Sequence, residues 1–449
     1  MVEDALFSAY TKESHDMDNL AYTNMNYLAV WAAGNGRSNP NQSGQNHQHF
    51  DELGLKHDHH YANDTNYGGF GTLNYLATAK NGVTVGAVGD LINGWQNATG
   101  VVMTSFSFWG PTDDGRIKPD IVSNGTTIYS TTMTTNGTLT YTTGSGTSGA
   151  AATVTGSLGL LTERFNQFGR KPTSATLRGL LIHTADDAGL EGPDYKFGFG
   201  LMNTDHAARL IMENTATYNP LSSGLLPDGH LLEGVLTNGT TQEFTVVQPI
   251  NSPLRATLTW TDPPGFYSGI QGQLNPTNRM LVNDLDMVVV NALVATNYPF
   301  TLDPVSPYAP AHSNTNNRLD NVEQVFVPTN TTGSIVYLTI RITHQGTLVD
   351  SGYLGSTTNQ PYSLWVEGNL VYPKPLINGI TQTGSNTVAV AWYATVGTDY
   401  KVQYIDEVDA PASAWTDATG TVTAQYPLTA VEVAYSPSQP KRFYRIALP

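Results

Sequence analysis

The stretch Gly144-Ser-Gly-Thr-Ser-Gly-Ala-Ala-Ala-Thr-Val-Thr-Gly156 sets one serine, Ser148, where a glycine-rich turn passes into an alanine-rich helix. A hydroxyl at that point faces backbone N–H groups with no helical acceptor and the positive end of the helix dipole. Together these can hold the negative oxygen of a tetrahedral intermediate. The flanking glycines let a substrate backbone come close. A Thr-Ser pair ahead of an apolar helix is also an ordinary N-cap, so this stretch alone does not separate a cap from a nucleophile.

Two further segments tip the reading. Residues 27 to 36, Tyr-Leu-Ala-Val-Trp-Ala-Ala-Gly-Asn-Gly, read as a buried strand ending in small residues and an asparagine. Residues 105 to 121 run from a strand end through a Pro/Gly-rich turn, Trp-Gly-Pro-Thr-Asp-Asp-Gly-Arg. In this order the three blocks resemble the subtilisin-like serine peptidases, in which an Ala-Ala-Gly-Asn strand supplies the oxyanion asparagine and a Gly-Thr-Ser-x-Ala block supplies the nucleophile. The resemblance implies that Ser148 attacks the peptide carbonyl and that Asn35 donates its side-chain amide to the oxyanion. The Ser148 N–H is then the second donor, Thr147 is a candidate to assist, and Ala32, Ala33 and Gly34 form one wall of the pocket for the residue before the scissile bond.

The sequence also departs from that pattern. The family's triad runs in the order Asp, His, Ser, so acid and base should both precede Asn35. The residues ahead of Asn35 hold one histidine, His15, in Lys-Glu-Ser-His-Asp-Met-Asp, without a His-Gly-Thr-His pattern or a strand ending in Asp-Ser-Gly or Asp-Thr-Gly. The expectation is that the chain starts inside the catalytic domain, after the segment carrying Asp and His. By itself it should then be nearly inactive, since a serine without its base is scarcely nucleophilic at neutral pH. Residue 149 is glycine and residue 152 alanine where many relatives carry methionine and proline, and neither change removes a catalytic group.

The other histidines offer no clear substitute base. His47, His49, His57, His59 and His60 crowd a segment rich in Asn, Gly and Asp that reads as a long surface insertion. A His-Asp-His-His cluster has the chemistry to take a transition metal, but its spacing does not distinguish a metal site from a solvated loop. His183 sits in an apolar helical segment and reads as a packed or capping residue.

Organisation along the chain divides it in three. Residues 1–217 alternate apolar strands such as 82–88 with helices expected at 150–165, 174–184 and 204–213, an α/β pattern around a mostly parallel sheet. With the resemblance, this is an incomplete subtilisin-like three-layer domain, closed by the Gly-rich block 192–203. A Pro/Gly-containing linker at 218–229 opens a second region, 218–372, whose short β runs at 254–260, 285–290, 335–341 and 362–366 suggest a jelly-roll-like sandwich. Its Thr-Trp-Thr-Asp-Pro-Pro-Gly, Leu-Val-Asn-Asp-Leu-Asp and Asp-Asn-Val-Glu-Gln-Val blocks resemble the β-domain following the catalytic domain in some large bacterial subtilases. The third region, 373–449, resembles a fibronectin-type-III-like module, with Trp392 and Trp415 expected to anchor its core.

Asp284 and Asp286 alternate along one strand and share a face, and Asp262 and Asp320 lie in similar turn contexts. Converging carboxylates would suit structural Ca²⁺, a hard cation that takes oxygen ligands, while turn-capping by these side chains is the competing reading.

The 449 residues carry no cysteine, a net charge of -16 and only 13% charged residues. The acidic balance argues against nucleic acid or an anionic membrane surface as partner, and no apolar run is long enough to span a bilayer. Lack of cysteine removes disulfides and thiol catalysis. These features fit a secreted or cell-surface protein of bacterial type, although the first residues do not form a signal peptide. The expected function is a secreted serine endopeptidase acting on protein or peptide substrates without a required cofactor. The alternative is a non-catalytic binding or adhesion protein on the same fold. Cleavage specificity and oligomeric state are not encoded in any recognisable feature.

Overall fold

The computed structural model describes residues 6–37, 46–50, 56–60, 68–216, 230–248, 251–267, 275–291, 295–333, 336–349, 359–367, 369–371, 377–393, 399–406, 414–424, 428–436 and 442–447. The linker at 218–229, and with it the boundary drawn from composition, lies outside these residues.

Helix α1 (Lys12–Thr23) leads to strand β1 (Val30–Ala32), which pairs in parallel with β4 (Val83–Val88); β4 pairs in parallel with β5 (Ile121–Asn124). Every residue of β4 is buried, as a central parallel strand covered on both faces requires. Between β1 and β4 the chain forms an antiparallel ladder of β2 (Asn46–Phe50) and β3 (Lys56–His60), where the sequence suggests irregular loop. The polar, histidine-rich composition hides strands that the apolar periodicity would otherwise reveal. After β5, strands β6 (Ile128–Met133) and β7 (Leu139–Gly144) make a protruding ribbon, and β7 runs into helix α2 (Thr147–Gln167).

Helix α2 packs its Ala150, Val154, Leu158, Leu161 and Phe165 face on β1, β4 and β5. Helix α3 (Ser174–Thr184) is buried along its whole length, and α4 (Thr204–Ala216) packs beside α2 and α3. The N-cap of α3 is Thr173, whose hydroxyl accepts from the Thr176 N–H.

The next region is antiparallel throughout, with strands β8 (Leu231–Thr237), β9 (Gln242–Gln248), β10 (Leu254–Thr259), β11 (Asp284–Asn291), β12 (Ala295–Asn297), β13 (Val322–Val327), β14 (Val336–Gln345), β15 (Asn359–Glu367) and β16 (Asn369–Val371). One sheet has the order β13-β10-β15-β8 and the other β12-β11-β14-β9-β16. Their inner faces enclose Leu258, Trp260, Met287, Ile340 and Leu364, the sandwich expected from alternating short β runs.

This sandwich is fused to the first domain. Leu231, Val322 and Trp365 belong to the same apolar cluster as Leu180, Val154 and Phe165. Polar groups bind across the same seam. Arg178 of α3 donates to Trp260 O and Asn321 O at 2.9 and 2.8 Å, and buried Lys80 pairs with Asp262 while donating to Pro263 O at 2.6 Å. Residues 377–447 form two further small antiparallel sheets around a separate core of Val390, Trp392, Tyr400 and Val402. Trp392 is the anchor expected there. Trp415 is half-buried under the Arg445 guanidinium, 4.5 Å from its ring centre, and lies outside that core.

Candidate active site

Helix α2 begins one residue before the serine, with extended Gly146 as its N-cap and no side-chain capping bond. Ser148 is therefore not used as a cap, and its hydroxyl is exposed and makes no hydrogen bond among the described residues. Gly146 is held by its N–H to Gly125 O at 2.8 Å. Ser145 Oγ accepts the Thr127 N–H at 3.0 Å, which ties the base of the β6–β7 ribbon to the serine turn.

Asn35 reaches this turn from the end of β1. Its Oδ1 accepts the Thr147 N–H at 2.8 Å and the Thr147 hydroxyl at 3.0 Å. The Gly34 N–H donates to the same Thr147 oxygen at 3.3 Å, so the hydroxyl proton is directed to Asn35. With Oδ1 engaged twice, the amide orientation is fixed by the network and Nδ2 is left as a donor with no acceptor among the described residues. A Cβ placed on Gly146 would lie 3.2 Å from Ser148 Oγ and 3.7 Å from Asn35 Nδ2. Hydroxyl and carboxamide thus border one small space that glycine keeps open. Thr147 is buried and acts through Asn35, a positioning role that a reading of the motif alone does not show.

The residues proposed from sequence as a pocket wall are placed unevenly. Ala33 is fully buried and donates its N–H to Val85 O, while Ala32 and Gly34 are half-buried. Gly34 adopts φ +121°, and the ring of Phe108 occupies the place where its Cβ would be. Phe108 therefore fills the space beside Gly34. Ile128 likewise occupies the side-chain volume of residue 149, with Cδ1 2.6 Å from a Cβ built on Gly149.

No described histidine side chain is hydrogen-bonded to Ser148. His15 Nδ1 is 2.8 Å from Gly265 O, His183 Nδ1 is 2.9 Å from Thr257 Oγ1, and His206 Nε2 is 3.2 Å from Glu367. Burial drives the His183 imidazole down to about 3, so it is neutral in the folded protein. The side chains of His47, His49, His57, His59 and His60 are outside the described set.

The four aspartates read as metal candidates are engaged by cations and by N–H donors of the protein itself. Asp262 faces Lys80 and accepts the Asn283 N–H at 2.7 Å; burial raises its carboxyl, against the pull of Lys80. Asp284 and Asp286 do share a face, where Arg318 lies 3.2 and 3.3 Å from them. Arg279 adds a second contact to Asp284 at 2.9 Å. Asp320 accepts from the Ile117 N–H at 2.9 Å and the Asn317 amide at 3.0 Å, and burial pushes it up to about 6. Among the described residues no three His, Asp or Glu side chains gather as a metal site requires.

Residues 5–200 match the model of the Subtilase family. No curated protein matches the chain. Among solved structures, the self-cleaved protease domain of PatA aligns at 22% identity over 46% of this chain and 57% of its own, with a TM-score of 0.32. A lanthipeptide protease aligns at 20% identity over 44% and 54%, TM-score 0.29, and sphericase at 23% over 42% and 51%, TM-score 0.28. The chain spans little more than half the length of these structures. The residues that match the Subtilase family model include β1, the Asn35 turn and the start of the Ser148 helix.

Proposed function

We propose that this protein is a serine endopeptidase in which Ser148 is the nucleophile and Asn35 the oxyanion donor. The observation that supports the reading is the Thr147 clamp, which engages Asn35 Oδ1 twice and leaves Nδ2 as a donor, with the carboxamide and Ser148 Oγ both bordering the space beside Gly146. In the acylation step Oγ forms a bond to the carbonyl carbon, and the carbonyl π pair moves to oxygen. The resulting oxyanion is held by Asn35 Nδ2 and the Ser148 N–H at the helix N-terminus. Collapse of the intermediate expels the amine, which needs a proton. A general base has to take the Ser148 proton and return it to that amine. We assign base and orienting acid to parts of the protein beyond the described residues.

The match of residues 5–200 to the Subtilase family model supports peptide or protein substrates, and the low charge density and Thr/Asn-rich composition support an exported enzyme. A binding protein on the same fold would not need Asn35 oriented with a free donor beside a free serine hydroxyl. Fluorophosphonate labelling of the product of the longest reading frame containing this chain is the test. Ser148 should be the modified residue and Ser148→Ala should abolish labelling. An unlabelled full-length product would leave the binding-protein reading in its place.

A further inference from the structure

Strands β6 and β7 stand opposite one another from Ile128 and Gly144 at the base to Met133 and Leu139 near the tip. Opposed residues share a face of an antiparallel pair, as do residues two apart along one strand. The register therefore brings Tyr129, Met133, Leu139 and Tyr141 to one face and leaves Ser130 and Thr142 on the other. All four large side chains are at least 60% exposed, and the Tyr129 and Tyr141 rings stack with their centres 5.4 Å apart. Among the described residues the two strands pair with no other strand, and the tip is closed by the Thr134 N–H to Thr138 O at 2.9 Å. No residue of 126–144 is charged, in a chain whose net charge is -16. A preformed, uncharged face that keeps two aromatic and two flexible apolar side chains in water marks an interaction surface.

We propose that this face is a secondary binding site for the polypeptide that Ser148 cleaves, and that it takes an extended, uncharged stretch of that substrate with apolar side chains at alternate positions. The proposal rests on the serine-peptidase reading and adds to it a substrate class. The ribbon is continuous with the serine turn. Tyr129 follows Ile128, which fills the side-chain volume of residue 149, and the Thr127 N–H donates to Ser145 Oγ at 3.0 Å. A polypeptide held at Ser148 therefore lies beside the base of the ribbon. Strand β7 covers 6 residues, so the face runs for about 20 Å, the span of roughly six residues of extended substrate. Alternate side chains of such a segment point to one side and meet the face, where the tyrosine rings add stacking contacts. A charged segment would lose hydration there without gaining a partner.

The product of the longest reading frame containing this chain is assayed with two fluorogenic peptides that share the residues around the cleaved bond. One is extended on both sides by Leu or Phe alternating with Thr, the other by Ser, Gly and Asn. The apolar peptide should show a kcat/KM about tenfold higher, with the gain in KM, and the pair Tyr129→Ser and Tyr141→Ser should bring the two peptides within about twofold. Tyr129→Phe with Tyr141→Phe, which keeps the stack, should keep the preference, as should Ser130→Ala with Thr142→Ala on the opposite face. Leu139→Ser, near the tip, serves where loss of both rings loosens the ribbon. Fluorescence anisotropy of the same peptides on the Ser148→Ala protein should give the same order without turnover, and fluorophosphonate labelling of the unaltered protein reports the serine site by itself. A labelled protein without the preference, or with a preference that survives both Tyr→Ser changes, overturns the ribbon proposal and leaves the serine reading intact. An unlabelled protein overturns the serine reading, while anisotropy still decides whether the ribbon holds an apolar peptide. A dimer that the Tyr→Ser changes dissolve in sedimentation assigns the face to a second copy of the chain and overturns the proposal as well.

Discussion

At the scale of single residues, the two functions of the Asn35 carboxamide can be separated. Its oxygen is structural, because it satisfies the Thr147 N–H and hydroxyl at the start of α2; its nitrogen is the proposed catalytic donor. Asn35→Asp keeps an acceptor for Thr147 and removes the donor, so the folded protein should survive while reaction at Ser148 slows about 10²–10³-fold. Thr147→Val removes one of the two bonds that fix the amide. We expect a loss of about 1 kcal/mol in stability and a slower reaction, with Thr147→Ser restoring both in the same urea-melt and labelling assays. The Gly-Thr-Ser and Ala-Gly-Asn motifs make Ser148 and Asn35 legible in the sequence. Thr147's positioning role is not legible, since a threonine before a serine reads equally well as a cap until the partner from residue 35 is seen. A second residue-scale expectation concerns His183. Burial lowers its imidazole to about 3 against an ordinary value near 6.5. Between those values the unfolded chain binds a proton that the folded one does not, so the His183 contribution to stability is lost as pH falls from 6.5 toward 3. Each unit in that window costs about 1.4 kcal/mol for one group. His183→Gln, which keeps a partner for Thr257, should flatten the slope of unfolding free energy between pH 6.5 and 5, and an unchanged slope would assign it to other groups.

At the scale of elements, α3 joins the two sides of the molecule. Gly179 faces the sandwich so closely that a Cβ there would lie 2.6 Å from Thr259 Oγ1 and 3.1 Å from the Trp365 ring. The Thr259 hydroxyl is already committed to Ala175 O at 2.9 Å, and Trp365 Nε1 donates to Thr176 O at 3.0 Å. Neither neighbour has freedom to yield, so Gly179→Ala should destabilise by about 1–3 kcal/mol through overpacking, read as a lowered urea midpoint. The helix itself is predicted over 174–184 from its apolar pattern and appears with those bounds. Its burial on every side is not encoded in that pattern, because the partners of Arg178 and His183 come from the sandwich, far along the chain. The β2–β3 ladder fails in the opposite direction. Its strands contain too few apolar residues to show period two, and only pairing reveals them. In the β6–β7 ribbon the same register logic collects exposed Tyr129, Met133, Leu139 and Tyr141 on one face, with the two tyrosine rings stacked 5.4 Å apart.

At the scale of the whole molecule, composition and packing divide the chain differently. The change from helical to β-rich sequence locates a linker near residue 218, yet a linker's composition reports exposure of the chain and carries no information about what packs across it. Lys80, Arg178 and Ile117 each have a buried partner beyond that linker, in Asp262, Asn321 and Asp320. The apolar cluster under Ser148's helix takes in Leu231, Val322 and Trp365 from the same side. The core around Trp392, in contrast, shares no residue with any of the other three clusters among the described residues. Two truncations should therefore behave differently. A chain ending at residue 376 keeps both the common cluster and, among the described residues, every ion pair across the seam, and should unfold in one cooperative transition at an unchanged urea midpoint. A chain ending at residue 216 uncovers α3 and strands Arg178 without the Trp260 and Asn321 carbonyls that accept from it. It should be recovered aggregated or without a cooperative transition, because breaking a buried polar network and exposing a contiguous apolar face act in the same direction. A soluble 1–216 chain that melts cooperatively would show that the sandwich only rests on the first domain. An upward or downward shift of the midpoint in the 1–376 chain would show instead that the last module is coupled to the rest.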